Sequence, residues 1–160
     1  MQITRSSNAE TAPGPDEWFT GTVYIDAVAT PSEASRLGAA SVHFAPGART
    51  AWHTHPFGQT IYVTEGVGLC QRRGATVEVI RPGDRVFFEP DEDHWHGAAP
   101  GRFMTHMAMQ QADDSGSPVT WGEHVTDEEY GVAPSIDGLV DPDRDHPPPT
   151  EYHRIQEEVT

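Results

Sequence analysis

From Pro46 to Gly101 the chain is cut by turn residues at a nearly even beat, and that beat limits the fold more than any composition figure. Pro46-Gly47, Pro56-Phe57-Gly58, Gly66, Arg73-Gly74, Pro82-Gly83, Pro90-Asp91 and Pro100-Gly101 divide it. The runs between them, at about 49–55, 59–65, 67–72, 75–80 and 84–89, with 102–110 following, are rich in β-branched and aromatic residues. Short runs at roughly ten-residue spacing predict an all-β barrel or jelly-roll double sheet, and no segment of helical period competes with them. Upstream, Trp18 to Val28 and Ala39 to Ala45 predict two further strands, joined by a loop over 30–38. Ser117 to Val125 predicts a last strand, and Thr126-Asp127-Glu128-Glu129 has the spacing of a capping box. The expected organisation is a polar N-terminal arm over 1–17 that leads into an edge strand, a barrel domain over 18–130, and an extended, acidic, Pro-rich tail over 131–160.

At 160 residues the chain has the size of one domain. Its formal charge of −15 argues against nucleic acid and against anionic membrane as partners. Cys70 is the single cysteine, which fits a reducing compartment. With no leader pattern at Met1 and no apolar run of spanning length, a cytoplasmic location is expected.

Chemistry concentrates between Gly47 and Gly66, where His53 and His55 stand two residues apart and Gln59 follows. In an extended strand such a pair projects to one face. A second group, His94-Trp95-His96, offers a further imidazole. Three neutral imidazoles with one oxygen suit a first-row divalent ion and leave coordination positions open, as a catalytic site requires. His106 shares strand parity with Met104, Ala108 and Gln110, so an inward face would make it a candidate base beside His96. His43 reads as outward-facing, and His124, His146 and His153 lack partners at motif spacing. Phe19, Phe57, Phe87, Phe88, Trp52 and Trp95 are expected to supply core and pocket wall.

Gly47, His53, His55, Gln59 and Gly66 have the spacing of the first cupin motif, and Gly83 with His94 resembles the second. The resemblance implies a cupin double-stranded β-helix. It departs at Asp91, where a glycine is usual, and at Ala98, where asparagine is common. It departs most usefully at Gln59, where most metal-binding cupins carry glutamate. A neutral amide leaves a divalent ion its full charge, making it a stronger Lewis acid and anion trap.

The stretches A-R-T-A-W-H-T-H-P, D-E-D-H-W-H-G-A-A-P and M-T-H-M-A-M-Q are similar to a narrower group, the manganese-dependent (R)-selective hydroxynitrile lyases and their bacterial relatives. That resemblance implies a metal held by His53, His55, His94 and Gln59. It implies acid–base roles for His96 and His106, and a pocket lined by Ala40, Val42 and Gln110. The implied reaction is reversible cleavage of aromatic cyanohydrins with manganese, with iron, zinc and nickel as alternative ions. A metal-dependent dioxygenase or other small-molecule cupin enzyme, and a non-catalytic ligand-binding or sensing cupin, are the competing expectations. A homo-oligomer, dimer or tetramer, is also expected, with the N-terminal arm pairing to an exposed sheet edge.

Overall fold

The structure, a computed structural model, describes residue 1 and residues 3–131. The tail expected over 131–160 lies, beyond Gly131, outside the described residues. After a 3-10 turn at Ser6–Asn8 come twelve strands and one short helix. The strands are β1 (Thr11–Pro13), β2 (Phe19–Thr20), β3 (Val23–Ala29), β4 (Leu37–Phe44), β5 (Arg49–Thr54) and β6 (Gln59–Gly66). They continue with β7 (Gly68–Arg72), β8 (Glu78–Ile80), β9 (Arg85–Phe88), β10 (His94–Ala98), β11 (Met104–Gln111) and β12 (Thr120–His124), before α1 (Asp127–Gly131).

Two antiparallel sheets result. One has the order β1-β3-β4-β11-β6-β9; the other runs β12-β5-β10-β7-β8, with β2 paired to β5. Apart from the β3–β4 and β7–β8 pairs, strands consecutive in sequence pass from one sheet to the other, so motif residues far apart in the chain meet between the layers. The all-β double sheet is the expected one, and the β1 strand of the arm caps an edge by pairing with β3 of its own chain.

The run Trp18 to Val28 is not one strand, however. Gly21 adopts φ 82° and breaks it, sending Phe19–Thr20 to β5 in one sheet and Val23–Ala29 to β4 in the other. A Cβ on Gly21 would meet Ala48 at 3.1 Å, so both conformation and space favour glycine there. Alternating polarity does not report a switch of sheet, because both halves continue the same pattern. Asp91 has φ 59°, the left-handed conformation that its place in the turn demands.

The core between the sheets holds Phe19, Phe44, Ile61, Val63, Phe88 and Met104. A second cluster, Trp52, Leu69, Val77, Trp95, Val125 and Tyr130, includes the aromatic residue of α1. Trp52 and Trp95 therefore belong to this second core, not to a pocket wall. All five residues of β10 are buried, with Trp95 packed in this cluster, its ring 5.8 Å from Tyr130, and His94 and His96 among the other histidines. The capping box forms as expected: Glu129 N–H donates to Thr126 Oγ1 at 3.1 Å, and Thr126 N–H donates to Glu129 Oε2 at 2.8 Å. No helix among the described residues is long and apolar enough to cross a membrane.

Candidate metal centre

Backbone register brings the histidines together. β5 pairs with β10 so that His53 faces His94, and an irregularity between there and Gly97–Arg49 resets the alignment. Gly97 permits the close approach: a Cβ there would stand 2.5 Å from the Ala48 carbonyl oxygen. β6 and β11 place Gln59 opposite Gln110. The strand expected to carry both His53 and His55 ends at Thr54, so His55 is the first residue beyond it. Its ring nevertheless lies 5.2 Å from that of His53 and 5.6 Å from that of His94.

Hydrogen bonds fix which nitrogen of each ring carries the proton. His53 Nδ1–H donates to Ala51 O at 2.9 Å, His55 Nδ1–H to Pro118 O at 2.7 Å and His94 Nδ1–H to Glu92 O at 2.7 Å. A carbonyl can only accept, so each neutral ring keeps a bare lone pair on Nε2. His94 Nε2 stands 3.3 Å from Gln59 Oε1, lone pair against lone pair. His55 Nε2 is buried with no protein partner. Gln59 is itself oriented: its Nε2–H donates to Gln110 Oε1 at 3.2 Å, which turns Oε1 toward the imidazoles.

His96 is bonded differently. Its Nε2–H donates to Gln59 Oε1 at 3.1 Å, and its Nδ1 accepts from His106 Nε2–H at 3.1 Å. His106 Nδ1 is buried and without a partner. No backbone carbonyl fixes the tautomer of His96 or of His106, so the pair can exchange tautomers.

Burial keeps all five rings neutral. It lowers His94 and His106 to about 3, and it pushes His53 and His96 well below the ordinary imidazole range, with repulsion from the neighbouring imidazoles adding to the effect. His55 is lowered for the same reason, partly offset by its bond to Pro118 O and by the Gln59 amide. Neutral imidazole is the form that binds metal and accepts protons.

This donor set fits a divalent cation. The ligand atoms of His53, His94 and His96 lie within 4.8 Å of one another, so three buried histidines alone form a set able to bind a metal. Proximity thus selects His96 and omits His55, whereas donor chemistry does the reverse. Carbonyl partners behind the Nδ1 atoms are the usual support of metal-ligating histidines, and His55 has one while His96 does not. A small ring rotation alters such a distance but not which nitrogen holds the proton.

Residues 40–107 match the cupin domain family. Over 130 residues the chain is 55% identical to a protein named (R)-mandelonitrile lyase from Granulicella tundricola, covering 81% of this chain and 98% of that one. The chain belongs to the cupins. Among solved structures it is similar to a cupin-like protein from Thermotoga maritima, at 36% identity and TM-score 0.71 over 76% of this chain and 92% of that one. The polyketide cyclase RemF from Streptomyces resistomycificus, at 20% identity and TM-score 0.59 over 81% of this chain and 90% of that one, shares the fold alone.

In this cupin the histidines front an open-mouthed cavity of about 140 Å³. Ala40, Val42 and Gln110 line it with His53, His55, Gln59, His96 and His106; His94 lies behind, its ring stacked on Phe88 at 3.7 Å. His43 faces outward and pairs with Asp26, its Nε2 2.9 Å from Asp26 Oδ2. Among the lining residues that escape a reading of the sequence, the largest are Trp18 and Trp121. Both open stretches similar to the hydroxynitrile lyase group, W-F-T-G-T-V and W-G-E-H-V-T-D-E-E-Y, but neither stands at a ligand spacing. Only the cross-strand pairing of Trp121 with His53 reveals its place, and register is not written in a single strand's sequence.

Proposed function

We propose that this cupin is a metal-dependent hydroxynitrile lyase, cleaving aromatic cyanohydrins reversibly into an aldehyde and hydrogen cyanide. The supporting observation is the set of three Nε2 lone pairs, on His53, His55 and His94, gathered with Gln59 Oε1 beside a coupled pair of neutral histidines. Identity of 55% to a protein named for this reaction supports it independently. We assign His53, His55, His94 and Gln59 as the metal ligands. A divalent cation held there, manganese by family resemblance with iron, zinc or nickel as alternatives, supplies the Lewis acidity that makes a nearby hydroxyl easier to deprotonate.

The protein's own groups do the rest. Were a cation to take Gln59 Oε1, His96 would adopt the tautomer with Nδ1–H directed at His106 Nε2, His106 then carrying its proton on Nδ1, which leaves His96 Nε2 as the base. His96 Nε2 removes the cyanohydrin hydroxyl proton, and the O–H electrons form the aldehyde carbonyl as the carbon–carbon bond breaks. That bond's electron pair departs with cyanide. The proton, shared along the His96–His106 hydrogen bond, returns to cyanide as hydrogen cyanide. In reverse the same groups add cyanide to an aldehyde. The apolar cavity sides exclude water from the developing charges.

The test uses manganese-loaded protein with racemic mandelonitrile, following benzaldehyde release. Preferential consumption of the (R) enantiomer is expected, with the rate falling about 10²–10⁴-fold in His96→Ala. A rate equal to buffer alone, or one unchanged in His96→Ala, rejects the lyase assignment. Oxygen uptake by the iron-loaded protein would turn it toward a dioxygenase, and tight binding without turnover toward a sensing module.

A further inference from the structure

The cavity has a polar floor of imidazoles and mostly small or aliphatic sides, including Ile25, Ala108 and Val119. Against these stands one aromatic wall. Trp18 and Trp121 both line the cavity and stack on each other at 5.3 Å with ring planes 7° apart. Trp121 is the inner member, 4.8 Å from the His53 ring, and Phe19 abuts it edge-on at 5.9 Å. Trp18 is the outer member, 36% exposed.

These residues come from just before β2 and from β12, both outside the 40–107 core that matches the cupin family. Trp121 packs partly on the main core and also turns its ring to the cavity. Its Nε1–H is buried and donates to no protein atom, a cost that phenylalanine would avoid. A wide indole surface kept beside the histidines at that cost is suited to a ligand.

We propose that Trp18 and Trp121 are the specificity-determining wall of the pocket, holding the aryl group of the substrate, a role that rests on the lyase reading above. Aromatic rings favour edge-to-face and offset contacts with indole, which a saturated ring of similar size cannot reproduce. The wall therefore favours aryl over alkyl aldehydes and cyanohydrins by about tenfold in affinity.

The test compares full-length, manganese-loaded wild type with Trp18→Ala, Trp18→Phe and Trp121→Phe. Calorimetric titration with benzaldehyde and with cyclohexanecarbaldehyde gives the aryl preference without any turnover. Wild type is expected to prefer benzaldehyde about tenfold. Trp18→Ala abolishes that preference and raises KM for mandelonitrile, while Trp18→Phe restores most of both. Trp121→Phe keeps the stack and so part of the preference. An unchanged aryl preference in Trp18→Ala overturns the assignment, as does a wild type that binds both aldehydes equally or neither. A Trp18-dependent preference in a protein that fails to cleave mandelonitrile would uphold the wall and reject the lyase. Cleavage with a Trp18-independent preference would do the opposite.

Discussion

At the scale of single residues the proposed chemistry rests on Gln59, and Gln110 sets how its amide is presented. The bond from Gln59 Nε2 to Gln110 Oε1 is what aims the amide oxygen at the imidazoles. Gln110→Leu removes that support without touching a ligand, and the manganese Kd is expected to weaken about tenfold or more with little change in thermal stability. An unchanged Kd by metal titration would contradict the orienting role. Gln59→Glu places a carboxylate on the cation and should hold manganese more tightly while slowing mandelonitrile cleavage, because the cation's charge is partly neutralised. The buried histidines also set a pH dependence. His94 and His106 are depressed to about 3 in the folded protein, against about 6.5 unfolded. Between these values the unfolded chain binds more protons than the native one, so stability is full above pH 6.5 and falls steadily below it. At pH 5 the loss is about 2 kcal/mol for each of the two, measurable by denaturant titration of the metal-free protein. Flat stability between pH 7 and pH 5 would mean that these rings are already charged, or are solvated, in the native state.

Among the elements, β10 and the segment that follows β12 hold the centre in place. Arg49, buried in β5, donates from Nε and Nη2 to Val125 O at 3.1 and 2.9 Å and reaches Asp127 at 2.7 Å, with its guanidinium over the Tyr130 ring. Tyr130 O–H in turn donates to Ala98 O, at the end of β10, at 2.7 Å. Arg49→Leu leaves the Val125 carbonyl unpaired and should cost about 2–3 kcal/mol in equilibrium unfolding; a loss below a few tenths would show that the clamp is idle. The strands and turns were largely legible in the sequence, because turn residues act locally: Asp91 and the Thr126–Glu129 box behave as their chemistry dictates. What was not legible depends on non-local pairing. The change of sheet at Gly21, the end of β5 before His55 and the seating of Trp121 against His53 are set by partners far along the chain. The four ligands assigned here stand in motif spacing, whereas the contrast between His55 and His96 needed the carbonyls of Pro118, Ala51 and Glu92 to be located.

For the molecule as a whole, the acidic sequence surrounds a neutral, deeply buried centre, and one sheet carries three exposed aromatic side chains on its outer face. Tyr24, Tyr62 and Phe87 are 49%, 42% and 56% exposed on the outer face of the β1-β3-β4-β11-β6-β9 sheet. We propose that a homo-oligomer buries this face, with the outer edge of β1 in the arm as a further contact. Light scattering should give a multiple of 17.5 kDa for wild type and a single chain for the double variant Tyr62→Arg, Phe87→Arg; a monomeric wild type would contradict it. The central claim, however, is the metal centre and its ligand set, and metal content tests it most directly. Purified wild type, His96→Ala and His55→Ala are to be loaded with manganese, desalted and assayed by elemental analysis. The expected result is about one ion per chain in wild type and in His96→Ala, and substoichiometric metal in His55→Ala. Retention by His55→Ala with loss in His96→Ala would instead establish the His53, His94 and His96 cluster as the site and remove His96 from its role as base.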